Sequence, residues 1–274
     1  MRQMKKLIKN FVIILLIIVP CYIYRSQITG YIMSHINQQI IIENPTKNSY
    51  NKPYQFELVQ ITDDFHIKNR QHILNTIYTI LNSGQSDFTF YCDINYQECQ
   101  KDLKEISQDQ TILSTINNMV SPYNSYEKLY ITIDTYGKAT MKVDHLYGEG
   151  EIIQINNKID EITSNIINDN MSNKDKIKAF HDYLINNTTY DEQRASLIEQ
   201  GDTTTATHNS HKASGPLLEG WALCSGYSDA MKIYLDRLDL PNYKISTTSH
   251  IWNFVYIDNQ WKHIDLTWDN PVTS

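Results

Sequence analysis

No two of the four cysteines are spaced C-x-x-C, which removes the usual signature of a structural zinc site. Basic charge is also scarce, with 24 Lys and Arg against 31 Asp and Glu for a net charge of −7. The first 25 residues carry Arg2, Lys5, Lys6, Lys9 and Arg25 without one acid, so the remainder holds 19 basic and 31 acidic residues, a net of −12. An acidic body has no footprint for nucleic acid, which is thereby excluded as a partner. Internal repeats and low-complexity tracts are absent. No small-x-small cleavage site follows the basic start, and Pro20 directly before Cys21 is contrary to a lipoprotein box.

What is present begins at the same N-terminus. MRQMKKLIKN precedes the apolar run FVIILLIIVPCYIY at 11–24. With Leu7 and Ile8 the run approaches the ~20 residues that span a bilayer. Residues 1–25 are therefore expected to be an N-terminal transmembrane helix that holds the chain in the membrane through residues 7–24, or else a signal. The positive flank is N-terminal, which places the body outside the cytoplasm; cleavage of residues 1–25 would leave it secreted. Residues 26–55, with NPTKNSYNKPY at 44–54, read as a linker. In an exported protein disulfides are allowed, and Cys92 and Cys99 are compatible with a bridge or with two thiols. A hydrophobic fraction of 41% and a charged fraction of 20% suit a folded body, and 274 residues suffice for one large domain or two small ones.

Residues 56–148 read as a small α/β module. NRQHILNTIYTILN at 69–82 sets Ile73, Ile77, Ile80 and Leu81 on one helical face. DFTFYC at 87–92 reads as a strand, two helices fill 97–119, and 128–143 form a hairpin around Tyr-Gly-Lys. No role for this module is legible. In residues 149–274, an amphipathic stretch runs from Glu151 to Ile167, and Ser172 offers an N-cap for a helix carrying Ile177, Phe180, His181, Leu184 and Ile185. The polar stretch 199–215 reads as a loop and, as loops on rigid scaffolds often do, as a substrate-contacting segment. SGYSDAMKIYLDRLDL reads as a helix closed by Pro241, and SHIWNFVYI, the turn DN and QWKHIDLTW as a β-hairpin.

Cys224 stands at the start of that last helix, between Gly220 and Gly226, which let the backbone turn sharply. Helix-mouth N–H groups and the macrodipole favour thiolate and can cradle an oxyanion. Against this stands the ordinary use of a free cysteine as a small buried hydrophobe. The hairpin supplies the test. With its turn centred on Asp258-Asn259, Trp252 faces Asp265 and His250 faces Thr267. His250 and Asp265 are then diagonal neighbours on one face, roughly 7–8 Å apart at the backbone. A carboxylate beside an imidazole that can deprotonate a thiol is the logic of a catalytic triad. His263, on the same face opposite Phe254, reads as packing or as support for the base. His208 and His211 lie in the loop without a carboxylate pair, so no metal site is expected there. His181 reads as a core histidine, and Trp252 and Trp268 flank the site, either as core or as a shield against water.

The segments KIKAFHDYLINNTTYD (176–191), LLEGWALCSGYSDAMKIYLDRL (217–238) and HIWNFVYIDNQWKHIDLTWDNP (250–271) resemble the bacterial transglutaminase-like superfamily. Its pattern is G-x-x-x-C-x-G-Y, then H-x-W-N, then D-x-T-W-D-x-P. The resemblance implies an α+β fold with a papain-like core, a nucleophile helix packed on an antiparallel sheet, and a Cys–His–Asp triad. Cys224 would be the nucleophile, His250 the base and Asp265 its orienter. Superfamily members usually continue with further strands after the third motif, so a shortened chain is one expectation for a sequence stopping at Ser274. The implied activity is a thiol enzyme acting on amide bonds of proteins or peptides, those of the cell surface or cell wall included, through an acyl-enzyme resolved by water or an amine, with no cofactor or metal. The alternative is a catalytically inactive binding or assembly module on the same core.

Overall fold

A computed structural model describes residues 56–62 and 64–270. The expected anchor 1–25, the linker 26–55 and Pro271 at the end of the third motif lie outside the described residues. Among the described residues no helix is long and apolar enough to cross a membrane.

The described chain mixes helix and sheet. Its first part runs β1 (His66–Ile67), α1 (Arg70–Asn82), β2 (Asp87–Cys92), α2 (Cys99–Gln108), α3 (Gln110–Met119), β3 (Tyr126–Ile133) and β4 (Lys138–His145). Asn69 starts α1 by accepting from the His72 backbone N–H, and Asp109 caps α3 through the amides of Thr111 and Ile112, each satisfying donors the helix leaves open. Ile73, Ile77, Ile80 and Leu81 are fully buried, as the spacing requires. The strands form a sheet in the order β1-β2-β4-β3, parallel between β1 and β2 and antiparallel elsewhere. Asp134 accepts from the amides of Tyr136 and Lys138 and closes the β3–β4 turn, where Gly137 takes a positive φ of 84°. Cys92 and Cys99, left open by the sequence, are joined in a disulfide that ties the end of β2 to the start of α2.

The second part runs α4 (Glu149–Ile166), α5 (Asn173–Asn187), β5 (Thr189–Tyr190), α6 (Glu192–Glu199), a π-helical turn Gly215–Glu219, β6 (Trp221–Ala222), α7 (Cys224–Arg237), β7 (Asn242–Ser246), β8 (Ile251–Ile257), β9 (Gln260–Ile264) and α8 (Leu266–Asp269). Ser172 caps α5 through the Asp175 amide. Ile155, Ile159 and Ile162 of α4, Phe180 and Leu184 of α5, and Tyr227, Met231 and Tyr234 of α7 share one hydrophobic cluster; a second gathers the residues from Phe65 to Val143. Phe180 stacks on Tyr234 with ring centroids 4.0 Å apart. α7 lies on the antiparallel sheet β7-β8-β9. Polar links join the two parts: Asn118 on α3 donates to Ser246 Oγ on β7 at 2.8 Å, and Tyr123 donates to Asn156 Oδ1 on α4 at 2.9 Å.

The β8–β9 hairpin turns on Asp258 and Asn259, both in the left-handed region at φ 53° and 58°, as a two-residue primed turn demands. Pairing from Ile257↔Gln260 to Asn253↔Ile264 follows the expected register. It stops earlier than the sequence suggested. Instead of continuing through Trp268, β9 ends at Ile264, and Asp265 leaves the ladder to cap α8, accepting from the Trp268 amide at 3.3 Å. Asp265 therefore does not pair with Trp252, nor Thr267 with His250. A short carboxylate that can bond the backbone three residues on competes with strand pairing, and here it wins.

Candidate active site

Cys224 is the first residue of α7, and the preceding Leu223 gives the helix no side-chain cap. The amides of Cys224, Ser225 and Gly226 thus open the helix without intrahelical acceptors. Leu223 donates its own N–H to Ser210 O at 2.7 Å, which brings the inner end of the 199–215 loop against the helix mouth. A Cβ on Gly226 would lie 2.3 Å from Ser210 O and 3.1 Å from Lys212 O; one on Gly215 would lie 2.4 Å from Trp221 O. Gly220, at φ 76°, supplies the sharp turn, whereas Gly226 serves close approach. Ser210, Ala213 and Ser214 are buried, so this half of the loop braces α7. The loop's other half is clamped by Arg194, whose guanidinium donates to the carbonyls of Asp202, Thr203 and Thr205.

His250 and Asp265 are brought together although they are not ladder neighbours. His250 Nε2 lies 2.7 Å from Asp265 Oδ2, with both side chains about one-fifth exposed. A carboxylate on Nε2 fixes the proton there and leaves Nδ1 as the acceptor. Cys224 is partly buried, and the Ile251 amide, one residue beyond His250, is directed at its sulfur. Burial pushes the Cys224 thiol up, and the Asp265 charge adds to this; the amides of Ile251, Ser225 and Cys224 itself pull the other way without prevailing. The helix-mouth amides pull toward thiolate as the sequence suggests, but burial outweighs them. Desolvation of the sulfur outweighs the few dipoles aimed at it, so a reactive Cys224 needs a base.

Other candidates resolve as follows. Trp252 donates Nε1–H to His263 Nδ1 at 2.8 Å, and the His263 ring sits 4.4 Å from that of Phe254. Burial lowers the His263 pKa, which keeps the acceptor nitrogen free for Trp252. His181, read from the sequence as a core histidine, is mostly buried with both ring nitrogens partnered: its Nε2 lies 3.2 Å from Asp269 and its Nδ1 3.1 Å from Asp182. His208 stacks on Trp221 with centroids 4.9 Å apart and lies 3.6 Å from Glu219. Among the described residues no group of His, Cys, Asp and Glu could hold a metal ion.

The sequence reading missed a buried polar network behind α7. Asp229, five residues after Cys224, accepts from Tyr147 OH at 2.6 Å and pairs with Lys244 on β7. Tyr147 OH in turn accepts the Ala213 amide at 2.7 Å, which links the loop brace to the helix. Burial, followed by the Asp229 charge, pushes the Tyr147 phenol well up, so it remains a donor. In sequence Asp229 shares its helical face with Ser225, Lys232 and Asp236 and reads as part of a solvated face, so no signal marked it. Tyr147→Phe leaves Asp229 short of a donor and the Ala213 amide without its acceptor, an expected loss of about 1–3 kcal/mol. Thermal melting should show a Tm lowered by roughly 2–4 °C per kcal/mol lost; an unchanged Tm would deny the network its bracing role.

No known family profile matches the chain, and no curated protein sequence matches it. Among solved structures, a crystal structure of a TGase is similar at 16% identity and a TM-score of 0.41, over 77% of this chain. The chain spans 60% of that protein's length. At this score the likeness is too slight to assign a fold or an activity.

Proposed function

We propose that the protein is a thiol enzyme with a papain-like, transglutaminase-like core, acting on amide bonds of proteins or peptides through an acyl group carried on Cys224. The observation that carries this reading is the 2.7 Å contact of His250 Nε2 with Asp265 Oδ2, beside a cysteine whose sulfur receives the Ile251 amide. His250 Nδ1 takes the thiol proton, and the thiolate attacks the amide carbonyl carbon. The amides at the start of α7, which have no intrahelical acceptors, receive the resulting oxyanion. The C–N bond then breaks, the imidazolium returns its proton to the leaving nitrogen, and a thioester remains. Water or an amine attacks that thioester and releases Cys224. We further propose a membrane-held body outside the cytoplasm, attached through residues 7–24; the Cys92–Cys99 disulfide suits an oxidising compartment.

The raised Cys224 thiol also favours a second reading, a non-catalytic binding module in which Cys224 is a packing residue. Incubation with a Gln-containing peptide, with and without a primary amine, separates them. An enzyme gives a product that disappears in Cys224→Ala. Ammonia release alone marks deamidation, an amine adduct marks transfer and backbone cleavage marks a peptidase. No Cys224-dependent product from any of a panel of such peptides would sink the enzymatic reading.

A further inference from the structure

Strand β3 is the long open edge of the sheet β1-β2-β4-β3. It pairs with β4 alone, and the alternation of an antiparallel ladder decides which of its backbone groups are used. The Asp134 N–H points to Lys138 O. The N–H and C=O of Thr132 and Tyr130 therefore also face β4, while those of Leu129, Ile131 and Ile133 face outward. Among the described residues no strand or loop backbone pairs with these outward groups. Proteins commonly blunt such an edge with charge, proline or a bulge. In β3 the bulge and Lys128 sit at the N-terminal end, and Leu-Tyr-Ile-Thr-Ile at 129–133 carries none of these devices. A groove of about 370 Å³ runs beside the edge, lined by Gln100, Lys101, Leu103 and Lys104 of α2 and by Ile131 and Ile133 of β3. The Cys92–Cys99 disulfide holds the start of α2, and Arg70 of α1 donates to its Asp102 and Glu105 at 3.0 and 3.3 Å. These carboxylates are thus turned toward α1, and the lysines toward the groove. Lys101 meets Glu98 at 3.1 Å on the exposed rim; Lys104 is exposed and enters no ion pair among the described residues.

We propose that this edge takes up an extended, acidic segment of a partner polypeptide, added to the sheet as a further strand along Leu129–Ile133. Its backbone bonds the outward N–H and C=O groups of Leu129, Ile131 and Ile133. Alternate side chains enter the groove beside α2, and an Asp or Glu meets Lys104. The chemistry of the occupant follows from the groups offered. A row of main-chain donors and acceptors at strand spacing matches an extended backbone. The half-buried Ile131 and Ile133, with the buried Leu103 behind them, select apolar residues at every second position. The chain as a whole carries a net charge of −7, yet the charged residues lining this groove are Lys101 and Lys104, which select an acidic partner over a basic one. Main-chain bonds supply the affinity and the groove the selectivity. The module 56–148 thereby gains a recruiting role separate from the chemistry at Cys224, one that stands whether or not that cysteine is a nucleophile.

The test selects phage-displayed random peptides of about ten residues on the full chain and measures the Kd of the best binder as a synthetic peptide. The expected binder alternates apolar residues and carries Asp or Glu. Methylating its amides one at a time should weaken binding with a period of two, by about tenfold or more where the N–H faces β3 and little at the positions between. Ile131→Pro removes one outward N–H at an edge position, where a strand tolerates proline, and should raise Kd at least about tenfold. Lys104→Glu should raise it about two- to fivefold. Where Ile131→Pro also lowers the Tm, the methyl scan and Lys104→Glu decide, since neither disturbs the core. No binder, a methyl scan without alternation, or a Kd indifferent to both substitutions overturns the proposal. A dimer in sedimentation that is lost in Ile131→Pro, with no peptide selected, also overturns it and gives the edge to a second copy of the chain.

Discussion

In His250→Ala, Cys224 is expected to react with a thiol reagent at pH 7 at least about 30-fold more slowly than in the parent chain. The sign follows from the buried sulfur. Burial raises the Cys224 thiol above its ordinary value, so without a base only a small minority is thiolate at neutral pH. With His250 present, the thiolate forms by transfer of its proton to Nδ1 and no longer depends on ionisation into solvent. The parent should therefore show an alkylation rate nearly flat around neutral pH. The variant's rate should climb about tenfold per pH unit and level off only above the ordinary thiol range. Turnover of an amide substrate should fall by roughly 10²–10⁴-fold, the activity that is left coming from the amides at the helix mouth. Asp265→Asn keeps the shape but removes the charge and the forced tautomer on Nε2, so its activity should fall nearly as far. Equal alkylation profiles in parent and His250→Ala would mean that the two side chains do not exchange a proton.

Gly226→Ala should have a large effect on folding for a single added methyl. The new Cβ would meet Ser210 O at 2.3 Å and Lys212 O at 3.1 Å. Both are backbone atoms, and Ser210 O is already engaged by the Leu223 amide. No rotamer relieves such a contact, so α7 and the 210–214 brace must separate. That breaks the Leu223 bond and loosens the Tyr147–Ala213 link behind it. Overpacking of this kind costs typically 1–3 kcal/mol where side chains can adjust; with backbone on both sides, about 4 kcal/mol or more is expected. Thermal or urea unfolding of Gly226→Ala, beside Gly148→Ala where nothing lies within 4 Å of the added carbon, checks this directly. Similar stability of the two variants would show that loop and helix are not in register as described.

Local pattern carried much of the fold. The apolar spacing in 69–82 and 151–167, the Ser172 cap and the Asp258-Asn259 turn each determine their element from a few neighbouring residues, and all are present. What the sequence concealed is decided by competition between partners. Asp265 could pair in a strand or cap a helix, and only the placement of Trp268 and its amide selects the cap. The His250–Asp265 contact is therefore made from a helix cap and not from a ladder position, although the same two residues meet. The polarity of 199–215 hid a buried inner half, because Ser210 and Ser214 carry no apolar signal while their backbone packs on α7. Helix α6, short and weakly patterned, gave no cue, and its Arg194 clamp is visible only once the loop carbonyls converge. The thiol's net ionisation was hidden for a related reason: a helix mouth is legible in sequence, but the burial that outweighs it is not.

Mass measurement of the protein after brief mixing with an activated peptide ester addresses the acyl carrier most directly. Cys224 acting with His250 and Asp265 predicts a mass increase equal to the acyl group, located on the Cys224 peptide. It should be removed by hydroxylamine as a thioester is, absent from Cys224→Ser, and strongly slowed in His250→Ala. An unmodified Cys224, or an adduct that forms equally well without His250, would contradict a nucleophilic role for this cysteine.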